Sequence, residues 1–160
     1  MTVFSTAGSK LFIGGSIDQK TGDFVANDFT SQVWTEITPI ESLGTIGDSA
    51  QAITMSVIGN SRLLKAKGTK DAGDMQIVAG VDYADAGQIA LLAAAKSQHN
   101  FAFKIQFNDA PEGADSTPSS RMFIALVMSA NEELAAADNF MKLNATLAIN
   151  SNIVRVNAAA

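Results

Sequence analysis

From Phe101 to Phe107 the chain alternates strictly: Phe101, Phe103, Ile105 and Phe107 point one way, Ala102, Lys104 and Gln106 the other. A period of two places one apolar face on a core and is incompatible with a helix. The pattern recurs. Ile53, Met55 and Val57 oppose Ala52, Thr54 and Ser56 within Gln51–Val57, and Leu143, Ala145, Leu147 and Ile149 oppose Asn144, Thr146 and Ala148. Weaker strands are predicted at Val33–Ile40, Asp74–Val81 and Arg121–Ser129, the last apolar on both faces, as suits a strand covered on both sides.

A single helix is predicted over about 85–98. Asp85 supplies an N-cap oxygen, Gln88 stands three residues on as in a capping box, and Ile89, Leu91, Leu92 and Ala93–Ala95 favour helix. Ile89, Leu92 and Ala93 are the expected buried stripe, with Lys96 along its edge. Glu132–Asp138 lacks an apolar stripe and reads as a turn or short helical loop. Residues 108–120, with two prolines and three acids, form a long exposed loop, and residues 59–74 form another, or a ragged hairpin arm. Residues 1–30 read as an N-terminal arm, with a short strand at Lys10–Ile13, because no period is sustained there. Strands, one helix and more strands give a mainly β fold: an antiparallel β-sandwich or barrel with one flanking α-helix and extended arms and loops. At 160 residues this is one domain, 1–160.

Composition removes most chemistries. There is no cysteine and one histidine, so thiolate and imidazole metal clusters and a Ser–His pairing have little to draw on. His99 closes the helix and reads as exposed or capping. Asp109, Glu112 and Asp115 lack EF-hand spacing, and Gly44 and Gly47 lack the Gly-Lys-Ser/Thr of a phosphate loop. Trp34 and Tyr83 are the only residues of their types, too few for a stacking platform, and read as packing residues. We therefore expect no catalytic site, no metal and no cofactor. With 11 basic and 16 acidic residues the net charge is −5, opposite in sign to a phosphate-gripping protein. The one basic cluster, Arg62, Lys65, Lys67 and Lys70, is followed at once by Asp71 and Asp74 and reads as a solvated or subunit-facing loop. Charged residues are 17%, against roughly 25% in a typical soluble domain, a hint of burial between subunits. No secretory signal and no apolar run of about 18 residues is visible, so a soluble protein made in a cytoplasm is expected.

The order of these pieces resembles the tail tube (major tail) proteins of long-tailed phages over nearly the whole chain. The pieces are the arm leading into Val33-Trp34-Thr35-Glu36-Ile37, the turn at Gly44–Gly47, the strand ending at Val57 and the charged stretch Arg62–Lys70. Lys70-Asp71-Ala72-Gly73-Asp74 closes that stretch, Asp82-Tyr83-Ala84-Asp85 enters the helix, and Phe101–Phe107, Arg121–Ser129 and 142–149 complete the match. The resemblance implies a non-enzymatic subunit of stacked hexameric rings around a channel that DNA passes without specific binding. Its implied partners are other copies of itself and the tail-completion, tape-measure and baseplate proteins, with no membrane. Its implied location is the virion tail, after assembly in the host cytoplasm. Arms and long loops bind the next ring in that family, which marks Phe4, Leu11, Phe12, Ile13, Arg62, Leu63, Leu64, Lys65, Lys67 and Lys70 as candidate interface residues. The alternatives are a related secretion-system-type tube protein and a monomeric β-sandwich binding module.

Overall fold

The computed structural model describes residues 2–160. Its strands are β1 (Lys10–Ser16), β2 (Thr35–Ile37), β3 (Ile40–Ser42), β4 (Ser49–Met55), β5 (Leu64–Asp71), β6 (Asp74–Gly80), β7 (Phe101–Gln106), β8 (Ser120–Glu133), β9 (Lys142–Ile149) and β10 (Val154–Val156). One α-helix, α1 (Ala86–Lys96), lies between β6 and β7, and a 3-10 turn spans Ala26–Phe29. Eight strands form one antiparallel sheet in the order β2-β1-β7-β8-β9-β6-β3, with β10 beside β8. The expected mainly β, antiparallel fold with one α-helix is what the described residues form.

The two ends of that order, β2 and β3, are joined by only Thr38 and Pro39. The Cα atoms of Ile37 and Ile40 thus lie at most about 11 Å apart. A seven-strand path whose ends are so tethered has to curl almost full circle, although its edges do not pair and the barrel is not closed. The enclosed face carries the main core: Leu11, Ile13, Ile37, Met75, Ile77, Phe103, Ile105, Phe123, Val127, Leu143, Leu147 and Ile149. These are alternate residues of the strands, so the period was read correctly for β7 and β9, and β8, expected to be apolar on both faces, sends Met122 and Ile124 to a second cluster.

The N-terminus of α1 holds the tether. Asp85 Oδ2 accepts from the Gln88 N–H at 2.9 Å and the Thr38 N–H at 3.2 Å, while Oδ1 accepts from the Thr38 hydroxyl at 2.8 Å. Gln88 is not the returning half of a capping box. Its Nε2 donates to the carbonyls of Thr38 (2.7 Å) and Gly80 (2.6 Å), and its Oε1 accepts from the Asp82 N–H (3.1 Å). The residue is 3% exposed, and all three of these bonds go to backbone. A Cβ on Gly87 would overlap the Glu36 carbonyl, so glycine is what lets the helix approach β2 this closely.

Two expectations are corrected here. The buried stripe of α1 is Gly87, Gln88, Leu91 and Ala94, with Leu92 half-buried, Ala93 exposed and Ile89 largely so. The helix is rotated because its face is chosen by hydrogen bonds and close approach rather than by its most apolar residues. Of the residues read as an N-terminal arm, Lys10–Ser16 are not loose, whereas residues 2–8 are exposed. Strand β1 pairs with both β2 and β7, and Leu11 and Ile13 are core. Each such buried side chain contributes roughly 1.5–3 kcal/mol, so the segment belongs to the folded unit.

Residues 17–34 cover the other face of β7, β8 and β10 with a second cluster of Phe24, Phe29, Ala102, Met122, Ile124 and Val154, against which Ile17 and Trp34 pack. Asn152 clasps this cover through both Phe24 backbone groups, at 2.7 and 3.0 Å. Trp34 is thus a packing residue, as expected, but Tyr83 is exposed.

Replacing Gln88 by Leu removes partners from two carbonyls and an N–H. We expect Gln88→Leu to lower the unfolding free energy by about 3 kcal/mol, since each orphaned group costs roughly 1–3 kcal/mol and relaxation recovers part. Ile89→Ala, on the open side of α1, should change it by less than about 0.5 kcal/mol. Denaturant titration of the three proteins checks both.

Candidate assembly surfaces

Strands β4 and β5 stand apart from the main sheet and pair only with each other. The alternation over Gln51–Val57 correctly marks a strand, but no core lies beneath it. Ile53, Met55 and Val57 are exposed, as are Leu63 and Leu64, and Ile58 at the tip is 109% exposed. Of the two readings of 59–74, a long loop or a ragged hairpin arm, the second is what forms: a turn followed by strand β5, because Leu64–Asp71 finds backbone partners in β4. At about 3.3 Å per residue the seven residues of β4 reach about 23 Å.

Arg62, Lys65, Lys67 and Lys70 are all exposed on this hairpin. Lys65, Lys67 and Lys70 lie opposite Thr54, Ala52 and Ala50 rather than opposite carboxylates. Among the described residues the ion pairs are Lys20–Asp28 and Lys142–Glu41, so the four hairpin cations have no acidic partner within the chain. The structure therefore brings Arg62, Leu63, Leu64, Lys65, Lys67 and Lys70 together on one projection. The N-terminal candidates separate. Phe4 is exposed, Phe12 is half-buried beneath Lys104 at 4.6 Å, and Leu11 and Ile13 are sealed in the chain's own core and offer no surface.

Sequence reasoning missed a second apolar surface. Phe140 is 89% exposed and Met141 is exposed beside it; with Pro39, Ile40 and Val81 they line a groove of about 540 Å³. Glu133 and Asp138 border the adjoining hollow. The apolar pair Phe140-Met141 between Asn139 and Lys142 was the available signal, but it belongs to no period.

The outward face of β6, β9 and the end of β8 is polar and sparsely charged. Gln76 and Thr146 are joined at 3.0 Å, and Asn144 donates to Glu133 at 3.1 Å. By register Asp74, Asn131 and Lys142 share this face, giving two acids and one base. Loop 108–120 is pinned at its end: Asp109 accepts from the Ser119 N–H (2.7 Å) and hydroxyl (2.6 Å), and the Ser119 oxygen accepts from the Ala158 N–H (2.9 Å). Thr117 and Ala159 exchange backbone bonds, so the C-terminal alanines are part of this clasp. The described residues include no group of three or more His, Cys, Asp or Glu able to hold a metal ion, and no helix among them is long and apolar enough to cross a membrane.

No family model and no curated protein matches the sequence. Solved structures match the fold over almost its whole length. A chain of the anti-feeding prophage (AFP) baseplate aligns with TM-score 0.68 and 12% identity, covering 98% of each chain. A chain of the sheath/tube terminator of the PVC extracellular contractile injection system aligns with TM-score 0.67 and 13% identity, again over 98% of both. The SPP1 tail tube aligns with TM-score 0.59 and 16% identity, over 93% of this chain and 76% of that one. The chain therefore shares its fold with the SPP1 tail tube and with these baseplate and sheath/tube-terminator chains.

A two-stranded hairpin without a packed face is marginally stable in water. In the isolated subunit the amides of 64–71 should exchange far faster than those of 101–106, which lie inside the main sheet. Hydrogen exchange with mass spectrometry reads this directly, and equal protection would show that the hairpin needs no partner. The Ser119 hydrogen bonds hold the Asp109 carboxyl below the usual aspartate value of 3.8. A depressed folded-state pKa makes the clasp's contribution complete above the unfolded value and lost as pH falls through the lowered one. The Ser119 amide resonance should accordingly titrate below pH 3.8, and Asp109→Asn should abolish that titration.

Proposed function

We propose that this chain is a structural, non-catalytic subunit of a phage tail tube, assembling in the host cytoplasm into stacked hexameric rings around a channel that DNA traverses without specific binding. The observation that carries the reading is the alignment of 93–98% of the chain with chains of a phage tail tube and of the baseplate and sheath/tube terminator of phage-like injection systems. The unpartnered hairpin supports it, because an exposed, apolar-faced pair of strands is a liability in a monomer and an asset in an assembly. So does the charge pattern. A net charge of −5 and an outward sheet face with two acids and one base suit a wall that does not retain phosphates. The four unpaired cations are placed on the projecting hairpin, where neighbouring copies neutralise them. Tail-completion, tape-measure and baseplate proteins would meet the two ends of such a tube.

The AFP and PVC chains match over 98% of their own length, whereas SPP1 matches over 76%. This favours a second reading, a tube subunit of a contractile injection system rather than of a DNA-filled tail. Particles purified from a producing cell separate the two: tailed capsids containing DNA support the first, and sheathed, capsid-free particles the second.

Electron microscopy of the concentrated purified protein should show sixfold rings with a hollow centre that stack into tubes. Fivefold or sevenfold rings, monomers under every condition, or a channel lined by unpaired lysines and arginines would each overturn the proposal.

A further inference from the structure

The chain carries two apolar surfaces that complement each other and do not meet. One is the tip of the β4–β5 hairpin, where Val57, Ile58 and Leu63 are exposed. The other is the groove lined by Pro39, Ile40, Val81, Phe140 and Met141, to which no hairpin residue contributes. Their charges are opposite. Between Ser49 and Lys70 there are four cations and no acid. The groove and the hollow next to it are bordered by Glu41, Glu133 and Asp138 against a single cation, Lys142, which lies 3.0 Å from Glu41. Among the described residues Glu133 and Asp138 have no cationic partner in an ion pair.

We propose that the hairpin tip of one copy seats in the Phe140 groove of a second copy of this chain, with Arg62 and Lys65 facing Glu133 and Asp138. The inference rests on the tube-subunit reading above and adds the receiving surface. Ile58 and Val57 fill the groove against the Phe140 ring, an aromatic anchor of the kind that dominates interface energetics. The charges set orientation, since the unpaired acids that Arg62 and Lys65 would meet lie on the Glu133–Asp138 side, while Glu41 is already paired with Lys142. The occupant is a second copy because the same chain presents both halves of the match in apolar character and charge. Two different patches joined head to tail form a heterologous contact, which propagates into a ring or a stack rather than stopping at a dimer. A hairpin about 23 Å long is able to cross to a neighbour. Seating it also supplies the packed face that its two strands lack.

The chain has no cysteine, so disulfide trapping reads one contact at a time. Tagged Ile58→Cys protein is mixed with untagged Phe140→Cys protein under conditions in which the parent protein forms rings or tubes, then mildly oxidised. A tagged–untagged disulfide dimer is expected, absent on dilution below the assembly threshold and absent when Ser116→Cys replaces Phe140→Cys. In parallel, Arg62→Glu with Lys65→Glu should raise the threshold concentration for assembly at least about tenfold. Adding Glu133→Lys and Asp138→Lys to that chain should restore it, a rescue that loss of folding would not produce. Rings or tubes without the 58–140 disulfide, or with Ile58→Cys trapping Ser116→Cys instead, overturn the groove assignment and leave the tube reading standing. A 58–140 disulfide forming within one dilute double-variant chain overturns it too, because the hairpin then occupies its own groove. Failure of the unaltered chain to assemble at any concentration overturns both.

Discussion

The curled sheet depends on the two residues, Thr38 and Pro39, that connect its opposite edges, and on the helix end that grips them. Asp85 takes both the N–H and the hydroxyl of Thr38, and Gln88 takes the carbonyls of Thr38 and Gly80. These bonds join the turn between the edge strands β2 and β3 to the end of β6. Because Gln88 is buried, its amide and the backbone groups it serves are each expensive to leave unpaired, so the set forms together or not at all. Leu91 and Ala94 follow Gln88 on the same side of α1 and are carried into the enclosed core by that anchoring.

Closing the subunit in this way settles what is left outside it. The main sheet is covered on one face by its own curl and α1, and partly on the other by residues 17–34. The β4–β5 hairpin is excluded from both cores and projects with its apolar side chains bare. A projection of that kind costs solubility in a monomer and serves association in an assembly. The internal rigidity of the body and the marginal stability of the hairpin are two results of one partition of the chain.

Charge follows the same partition. The hairpin concentrates four of the 11 basic residues, the rim of the Phe140 groove is acidic, and the outward face of β6 and β9 is mostly neutral amide and hydroxyl. Such segregation within one small chain gives it a strongly uneven field while leaving one broad face unattractive to phosphate. Lys104 stays with the fold: desolvation lowers its pKa, and its ammonium lies over Phe12 and Trp34 at 4.6 and 5.1 Å.

What the amino-acid sequence determined by itself was local: the period of two in β7 and β9, the two-sided apolar run of β8 and the N-cap at Asp85. Each depends on a residue and its near neighbours, and each is found in the structure where the pattern placed it. The partner of each face was a matter for tertiary structure. Residues 51–57 and 143–149 alternate equally well, yet the second lies over a core and the first over solvent, because only one has a sheet closing above it. The buried side of α1 passed from Ile89 to Gln88 because carbonyls at Thr38 and Gly80, distant in sequence, needed donors. Phe24 and Phe29 look like stray aromatics in an irregular stretch until Ile124 and Val154 arrive beneath them. Phe140 looks like a loop residue until Pro39 and Val81 make it one wall of a groove. Periodicity records how a segment divides its two sides, whereas burial depends on what comes from elsewhere to cover them.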